Sequence, residues 1–233
     1  MSFNGKNKAL TFSFDDGLTR DIRLIEIFNK YDLKCTFNLN SERLGRINPF
    51  SVLKFEHSII KKEDVKHIYD GHEIAAHTLN HKWLPTMEDE NDIIHQVEQD
   101  RLNLSDIVGY EVVGMAYPGG GQNNDDRVAD IIKKNTGVRY ARTISSTHNF
   151  ELQDNLHRFN PSIHVVASWE ESMHLAEDFV SLKTDSPKIF YIWGHSFEFD
   201  YEPDSWDKMD EFCKLVSGKE DIFYGTNKEI ILS

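Results

Sequence analysis

Two short stretches of this chain hold the residue types that catalysis needs. The first, Thr11-Phe12-Ser13-Phe14-Asp15-Asp16-Gly17, ends an apolar run in two carboxylates and a glycine. The second, His77-Thr78-Leu79-Asn80-His81, sets two imidazoles at i and i+4. Adjacent side chains leaving a strand point in different directions, so the two aspartates can take separate tasks. The two histidines share a face if their segment turns helically, and could then grip one ion. One Asp with two His is a common ligand set for a divalent transition metal that keeps a position open for water. The other Asp is then free to act as a base on that water. Together these groups outline a hydrolase. Taken alone, Asp-Asp-Gly is equally a turn, and spaced histidines can simply cap or pack. The combination is far more specific than either part. The remaining histidines, His164 among them, have no such context and read as structural or surface groups.

The elements that must position these residues alternate between strand and helix. Ala9 to Phe14 reads as a buried strand, Arg20 to Tyr31 as an amphipathic helix, and Cys35 to Leu39 as a strand. Asn40 to Ser58 has no clean period and is expected to be a long loop, and Lys61 to Tyr69 a short helix. Glu73 to Ala76 leads as a strand into His77. A helix is expected from a start at Thr86-Met87-Glu88-Asp89 to about Ile107. Val112 to Tyr117 is the next strand and stops at Pro118-Gly119-Gly120-Gly121. Asp125 to Asn135 reads as helix and Tyr140 to Thr143 as strand. A polar loop, Ser145 to Asn155, precedes a segment without clear type around Arg158 to Val166. Ser168 opens a helix to about Leu182, and Lys188 to Trp193 is a strand that delivers Gly194-His195. A last helix, Ser205 to Val216, and a short strand, Ile222 to Tyr224, complete the pattern. Such alternation, without repeats or linkers, predicts one domain over 1–233 with a parallel sheet or barrel. Asp15, Asp16, His77, the Pro118-Gly119 turn and His195 all follow the carboxyl ends of separate strands. That rim is where parallel barrels build their chemistry.

Composition narrows the partners. The chain has 233 residues, 39% hydrophobic and 28% charged, which suits a soluble globular domain with a sizeable core. Its 26 basic against 39 acidic residues give a formal charge of −13, which argues against a nucleic-acid or anionic-membrane partner. Cys35 and Cys213 are too few for a disulfide framework and read as buried thiols. No apolar run is long enough for a transmembrane helix, and the polar start Met1 to Asn7 lacks the features of a signal peptide. The expected location is cytoplasmic, or extracellular if a leader has been removed.

With these residues in view, the chain resembles the polysaccharide deacetylases, carbohydrate esterases that act on chitin, chitooligosaccharides and peptidoglycan. The stretches Thr11 to Gly17 and His77 to His81 are similar to the family's first two motifs, and a looser likeness runs to about His195. The resemblance implies an α/β fold: a distorted (β/α) barrel with a mainly parallel sheet of seven or so strands. It implies metal-dependent hydrolysis of acetyl groups from the amino sugars, or O-acetylated sugars, of an oligo- or polysaccharide. Asp16, His77 and His81 would hold one divalent ion, zinc first, with cobalt, nickel or manganese as substitutes. Asp15 would be the general base, Gly119 the backbone donor to the oxyanion, and His195 the general acid for the leaving group. Tyr117 and Trp193 would border the substrate, with Trp193 taking the place of a leucine that lines the acetyl-methyl pocket.

Three departures from the family pattern stand out. The third motif often carries an arginine that orients the base, and its matching position here is Ala116. Arg158, from its place in the chain, is the candidate replacement. The aspartate of the fourth motif has no match, which leaves the tuning of His195 open. Gly194-His195-Ser196-Phe197-Glu198-Phe199 is richer than the usual motif, and Glu198 reads as a solvated or helix-facing carboxylate. The aromatic residues Trp83, Trp169 and Trp206 could be core or sugar platforms. Competing readings are a hydrolase of another C–N bond in a cyclic amide or formamide, a carbohydrate-binding protein without catalysis, and a metal-dependent phosphoesterase. Retention of all three metal ligands weighs against the first, and retention of Asp15 and His195 against the second. The third would need ligands for a second ion that cannot be assigned.

Overall fold

The computed structural model describes residues 2–51, 53 and 55–233. Met1, from the polar start, and Val52 and Lys54, from the expected long loop, lie outside the described residues. Seven parallel strands follow one another around a distorted barrel: β5 (Tyr140–Arg142), β4 (Gly114–Ala116), β3 (Glu73–Ala76), β2 (Cys35–Leu39), β1 (Lys8–Asp15), β7 (Lys188–Gly194) and β6 (Ile163–His164). An eighth, β8 (Ile222–Tyr224), pairs with Lys8 to Leu10 of β1, while β2 pairs with Phe12 to Asp15 farther along it. The ring closes between β5 and β7 through a single stretch of chain. Phe159 bridges Arg142, and β6 then pairs with Ile192 and Trp193 of β7. The barrel of seven or so strands expected from the resemblance is therefore present.

Strand alternation explains why β1 is buried along its whole length. Leu10, Phe12 and Phe14 face outward into the helical layer, where Phe28 of α1 (Asp21–Lys30) sits 4.7 Å from the Phe12 ring. Thr11, Ser13 and Asp15 face the lumen. In a parallel pair the residues in register share a face, so Thr36, Asn38 and Glu73 join them from β2 and β3. Tyr140 and Arg142 come from β5, and Tyr191 and Trp193 from β7. A polar lumen is stable only if its groups satisfy one another. At the base Thr36 donates to Glu73 at 2.8 Å, Tyr140 to Glu73 at 2.9 Å, and Thr11 to Asn227 at 2.8 Å.

The main differences from the sequence reading lie in short elements. The Lys61 to Tyr69 segment is a 3-10 turn, Lys62–Asp64, leading to one helical turn, α2 (Val65–Ile68). The Val112 to Tyr117 strand is ladder only over Gly114–Ala116. The helix after His81 is α3 (Glu90–Ile94) and α4 (Asp100–Val108), joined by one π turn, His95–Gln99. The expected helices α5 (Asp126–Asn135), α6 (Trp169–Ser181) and α7 (Ser205–Val216) are present, the first two capped by Asp125 and Ser168. Sequence reading missed α8 (Asn227–Ile231), too short for a hydrophobic period. It plugs the base of the barrel: Asn227 and Lys228 present backbone N–H groups to Thr36 Oγ1 and Glu73 Oε2, both at 2.9 Å.

Gly114 has to be glycine for space. A Cβ there would meet the Tyr140 hydroxyl at 2.1 Å, and that ring is fully buried and tied to Glu73. Gly114→Ala is expected to destabilise the fold by about 1–3 kcal/mol, read as a lower urea midpoint with an unchanged slope.

Candidate active site

The carboxyl ends of β1, β3 and β7 deliver their polar residues to one cavity of about 220 Å³. Asp15, Asp16, His77, His81, Tyr117, Gly119, Trp193 and His195 all border it, so eight of the nine residues singled out from sequence come together. Arg158 does not border it.

The two aspartates separate because the chain turns between them. Asp15 is the last lumen-facing residue of β1, whereas Asp16 takes a left-handed conformation, φ 79°, that swings its carboxylate to the rim. Gly17 follows at φ 66°, where a Cβ would meet Leu39 at 2.6 Å. The buried guanidinium of Arg142 donates to both Asp15 oxygens, at 2.7 and 2.5 Å, and Asn38 donates to Oδ1 at 2.8 Å. Burial pushes the Asp15 carboxyl up, but Arg142, with His77 and His195, outweighs it and holds the group below the ordinary aspartate range. Asp15 is therefore an ionised carboxylate with one fixed orientation.

Arg142 corrects the expectation for Arg158. The Arg158 guanidinium is spent on Asn124 at 2.8 Å and Asp126 at 2.5 Å, and about a third of it is exposed. Its segment runs along the edge of β5, where Phe159 bridges Arg142, whereas the Arg142 side chain reaches Asp15 across the lumen. The available signal was an arginine at an inward position of the strand Tyr140 to Thr143, where a long cation needs a buried carboxylate.

Asp16 has no such cation. Burial and the neighbouring Asp15 push its carboxyl up, against the pull of His195 and His77, and Oδ1 is buried without a hydrogen-bond partner among the described residues. His77 Nε2 lies 3.8 Å from that oxygen and His81 Nε2 3.5 Å. These separations suit three ligands of one ion bonded at about 2.0–2.1 Å. Burial drives both imidazoles down to about 4, so both are neutral as ligands must be. His77 Nδ1 lies 2.8 Å from the Ala116 carbonyl, which sets the tautomer that turns an Nε2 lone pair to Asp16. The residues fit a divalent ion.

The histidines meet without the helical turn expected of their spacing. The segment is an irregular loop in which Thr78 and His81 adopt φ 63° and 64°. Several bonds hold this strained loop. Asn40 donates to the carbonyls of His77 and Thr78, and Lys82 N–H donates to Thr78 Oγ1 at 2.9 Å. The π turn leaves the Gln96 carbonyl free to accept from Leu79 at 2.9 Å, and the fully buried Asp100 accepts the His77 N–H at 2.9 Å. Burial lifts Asp100 to about 7 despite its hydrogen bonds.

Across the cavity His195 Nε2 stands 4.0 Å from both Asp15 and Asp16. Burial opposes its charge, but Glu198, Asp16 and Asp15 outweigh burial and lift the imidazole to about 9. An ion at Asp16 would cancel part of the aspartates' share and leave that of Glu198. Glu198 is thus neither solvated nor helix-facing: its side chain is mostly buried, against His164 and His195. The apolar wall is Trp193, clasped between the His164 ring at 4.3 Å and the Arg142 guanidinium at 4.5 Å. Gly119 borders the cavity with φ 88° and an amide that donates to nothing among the described residues. Trp83 packs over Gly119 and is 46% exposed, whereas Trp206 is core and Trp169 is partly buried beside Phe199.

Asp100→Ala should loosen the His77 backbone and weaken zinc binding by about 10–100-fold, measured by competition with a chelating dye. An unchanged affinity would show that the strand end alone positions His77.

Comparison with known proteins fits this geometry. The chain spans nearly the whole of several solved folds. It covers 97% of itself and 91% of a family 4 acetyl xylan esterase from Clostridium thermocellum in complex with cobalt, with TM-score 0.59 and 14% identity. A peptidoglycan N-acetylglucosamine deacetylase aligns over 98% of this chain and 90% of its own, with TM-score 0.60 and 16% identity. The PuuE allantoinase aligns over 97% and 90%, with TM-score 0.69 and 12% identity. At such identities the likeness establishes the fold alone. No curated protein matches the sequence. The family model "Polysaccharide deacetylase", however, matches residues 3–141, more than half of the chain, and so the protein belongs to the polysaccharide deacetylase family.

Proposed function

We propose that the protein is a metal-dependent hydrolase that removes acetyl groups from the amino sugars of an acetylated oligo- or polysaccharide. One observation carries this reading. A single cavity is bordered by a buried carboxylate paired with arginine, and beside it by a second whose unpartnered oxygen sits among two neutral imidazoles.

Asp16, His77 and His81 would hold the divalent ion, zinc first. When bound, such an ion makes water a better nucleophile at neutral pH and polarises the acyl oxygen. Asp15, ionised and aimed by Arg142 and Asn38, would take the proton of the attacking water. The free N–H of Gly119 would meet the oxyanion that attack creates. Trp193 and Tyr117 offer an apolar surface for the acetyl methyl, and Tyr117 is fixed by a 2.7 Å bond from its hydroxyl to the His157 carbonyl. His195, charged at neutral pH, would give its proton to the departing nitrogen. The C–N bond then breaks to release acetate and a free amine.

Acetate release from N- and O-acetylated oligosaccharides tests the reading. Zinc-loaded protein should turn over, metal-stripped protein should not, and Asp15→Asn should lose about 10²–10⁴-fold in kcat. Release of ammonia or ring opening from a cyclic amide, without acetate from any glycan, would replace this reading with cyclic amide hydrolysis.

Arg142→Met provides a second check. Because Arg142 lowers the Asp15 pKa, its loss should move the acid limb of the kcat/KM profile to higher pH, with zinc content unchanged. Arg158→Ala should leave that limb where it is.

A further inference from the structure

His195 is gripped from the side facing away from the cavity. It leaves β7 at the rim and enters a 3-10 turn, Ser196–Asp200, anchored by a 2.5 Å bond from the Ser196 hydroxyl to the buried Asp21. That turn brings Glu198 back to the ring. Glu198 Oε2 accepts the His195 backbone N–H at 2.9 Å, lies 3.2 Å from His195 Nδ1, and lies 2.9 Å from His164 Nε2. His164 is the lumen-facing residue of β6 and stacks on Trp193, so its ring is not free to turn away. Neither Glu198 nor His164 borders the cavity, and His195 does. Nδ1 completes no hydrogen bond among the described residues, the Glu198 carboxylate 3.2 Å away being its ion-pair partner, and Nε2 is the nitrogen left to the cavity side.

We propose that Glu198, braced by His164, is the positioning residue for His195: it holds the imidazole with Nδ1–H engaged and Nε2–H directed at the leaving group. This rests on the deacetylase reading above. It assigns to a carboxylate three residues downstream of His195 the place left open by the absent fourth-motif aspartate. In the step served, the C–N bond breaks with its electron pair on nitrogen, and that pair takes the Nε2 proton. His195 is left neutral, with Nδ1–H still on Glu198.

A purely structural role for Glu198, capping the 3-10 turn, predicts something different. Glu198→Gln keeps an acceptor for the backbone N–H but removes the charge. On an N-acetylated oligosaccharide, kcat should fall about 10–100-fold with KM within about twofold. On 4-nitrophenyl acetate, whose leaving group needs no proton, the fall should stay below about threefold. His164→Ala should show the same split with smaller size. The Nδ1–H proton of His195, followed in nitrogen-edited imidazole spectra of metal-free protein, should leave its hydrogen-bonded position in E198Q.

Equal losses on both substrates, or no loss on the amide, would overturn the assignment. So would a second equivalent of zinc bound by the wild type and lost in E198Q, which would make His164, His195 and Glu198 a metal site. If zinc-loaded wild type releases acetate from the ester but from no glycan amide, the deacetylase reading itself fails. Wild-type amide turnover with E198Q matching it sinks only the role of Glu198.

Discussion

The ion pair between Arg142 and Asp15 spans the lumen from β5 to β1, and the site depends on it. Both groups are buried, at 0% and 2% exposure, so neither could stay charged there alone. A buried pair of this kind adds little to stability over an apolar filling, while removal of one partner strands the other. Its presence therefore speaks for a task. The guanidinium also covers one face of Trp193, so the same cation that orients the Asp15 carboxylate sets the apolar wall. Carboxylate and wall move together or not at all.

The neighbouring carboxylate shows the same physics with the opposite outcome. Asp15 and Asp16 are adjacent in sequence and both buried, yet one is hydrogen-bonded to a guanidinium and the other has no hydrogen-bonded cation among the described residues. Two carboxylates so close would share a proton in water-free surroundings unless positive charge is supplied twice. Arg142 supplies it once. The charged His195, 4.0 Å from both carboxylates, supplies part of it again, and a divalent ion would supply the rest. Strain at Asp16, Thr78 and His81, all left-handed without being glycine, lies beside the Asp16, His77 and His81 group. The π turn and Asp100 hold the backbone that bears it.

Much of this was legible in the sequence because strand ends and polar motifs coincide. The alternation of strands and helices and the rim positions required only periodicity and residue chemistry, while the choice of Asp16 over Asp15 beside His77 and His81 came from the family resemblance. What escaped was set by through-space contacts. Arg142 lies 127 residues from Asp15 along the chain, and no local pattern links them. His164 sits on a two-residue strand, too short to register as one. Glu198 was visible but misread, since a carboxylate three residues after a histidine fits a solvated turn as well as a tether. The helical turn on which a shared face for His77 and His81 was conditional is not formed. Two left-handed residues achieved what a helical turn would have, and neither is of a type that announces it.

The plug at the base of the barrel joins the two ends of the chain. Thr11, from the first strand, donates to Asn227, 216 residues later, and β8 fills the half of β1 that β2 leaves unpaired. Glu73 and Tyr191 meet their remaining partners only when that last stretch arrives. On a ribosome the first seven strands would emerge and collapse with a polar lumen still short of donors. Contacts this distant in sequence slow the final step of folding and prolong exposure of the incomplete ring. The ring itself closes through Phe159 and β6, and the last helical turn then supplies the donors that complete its polar base.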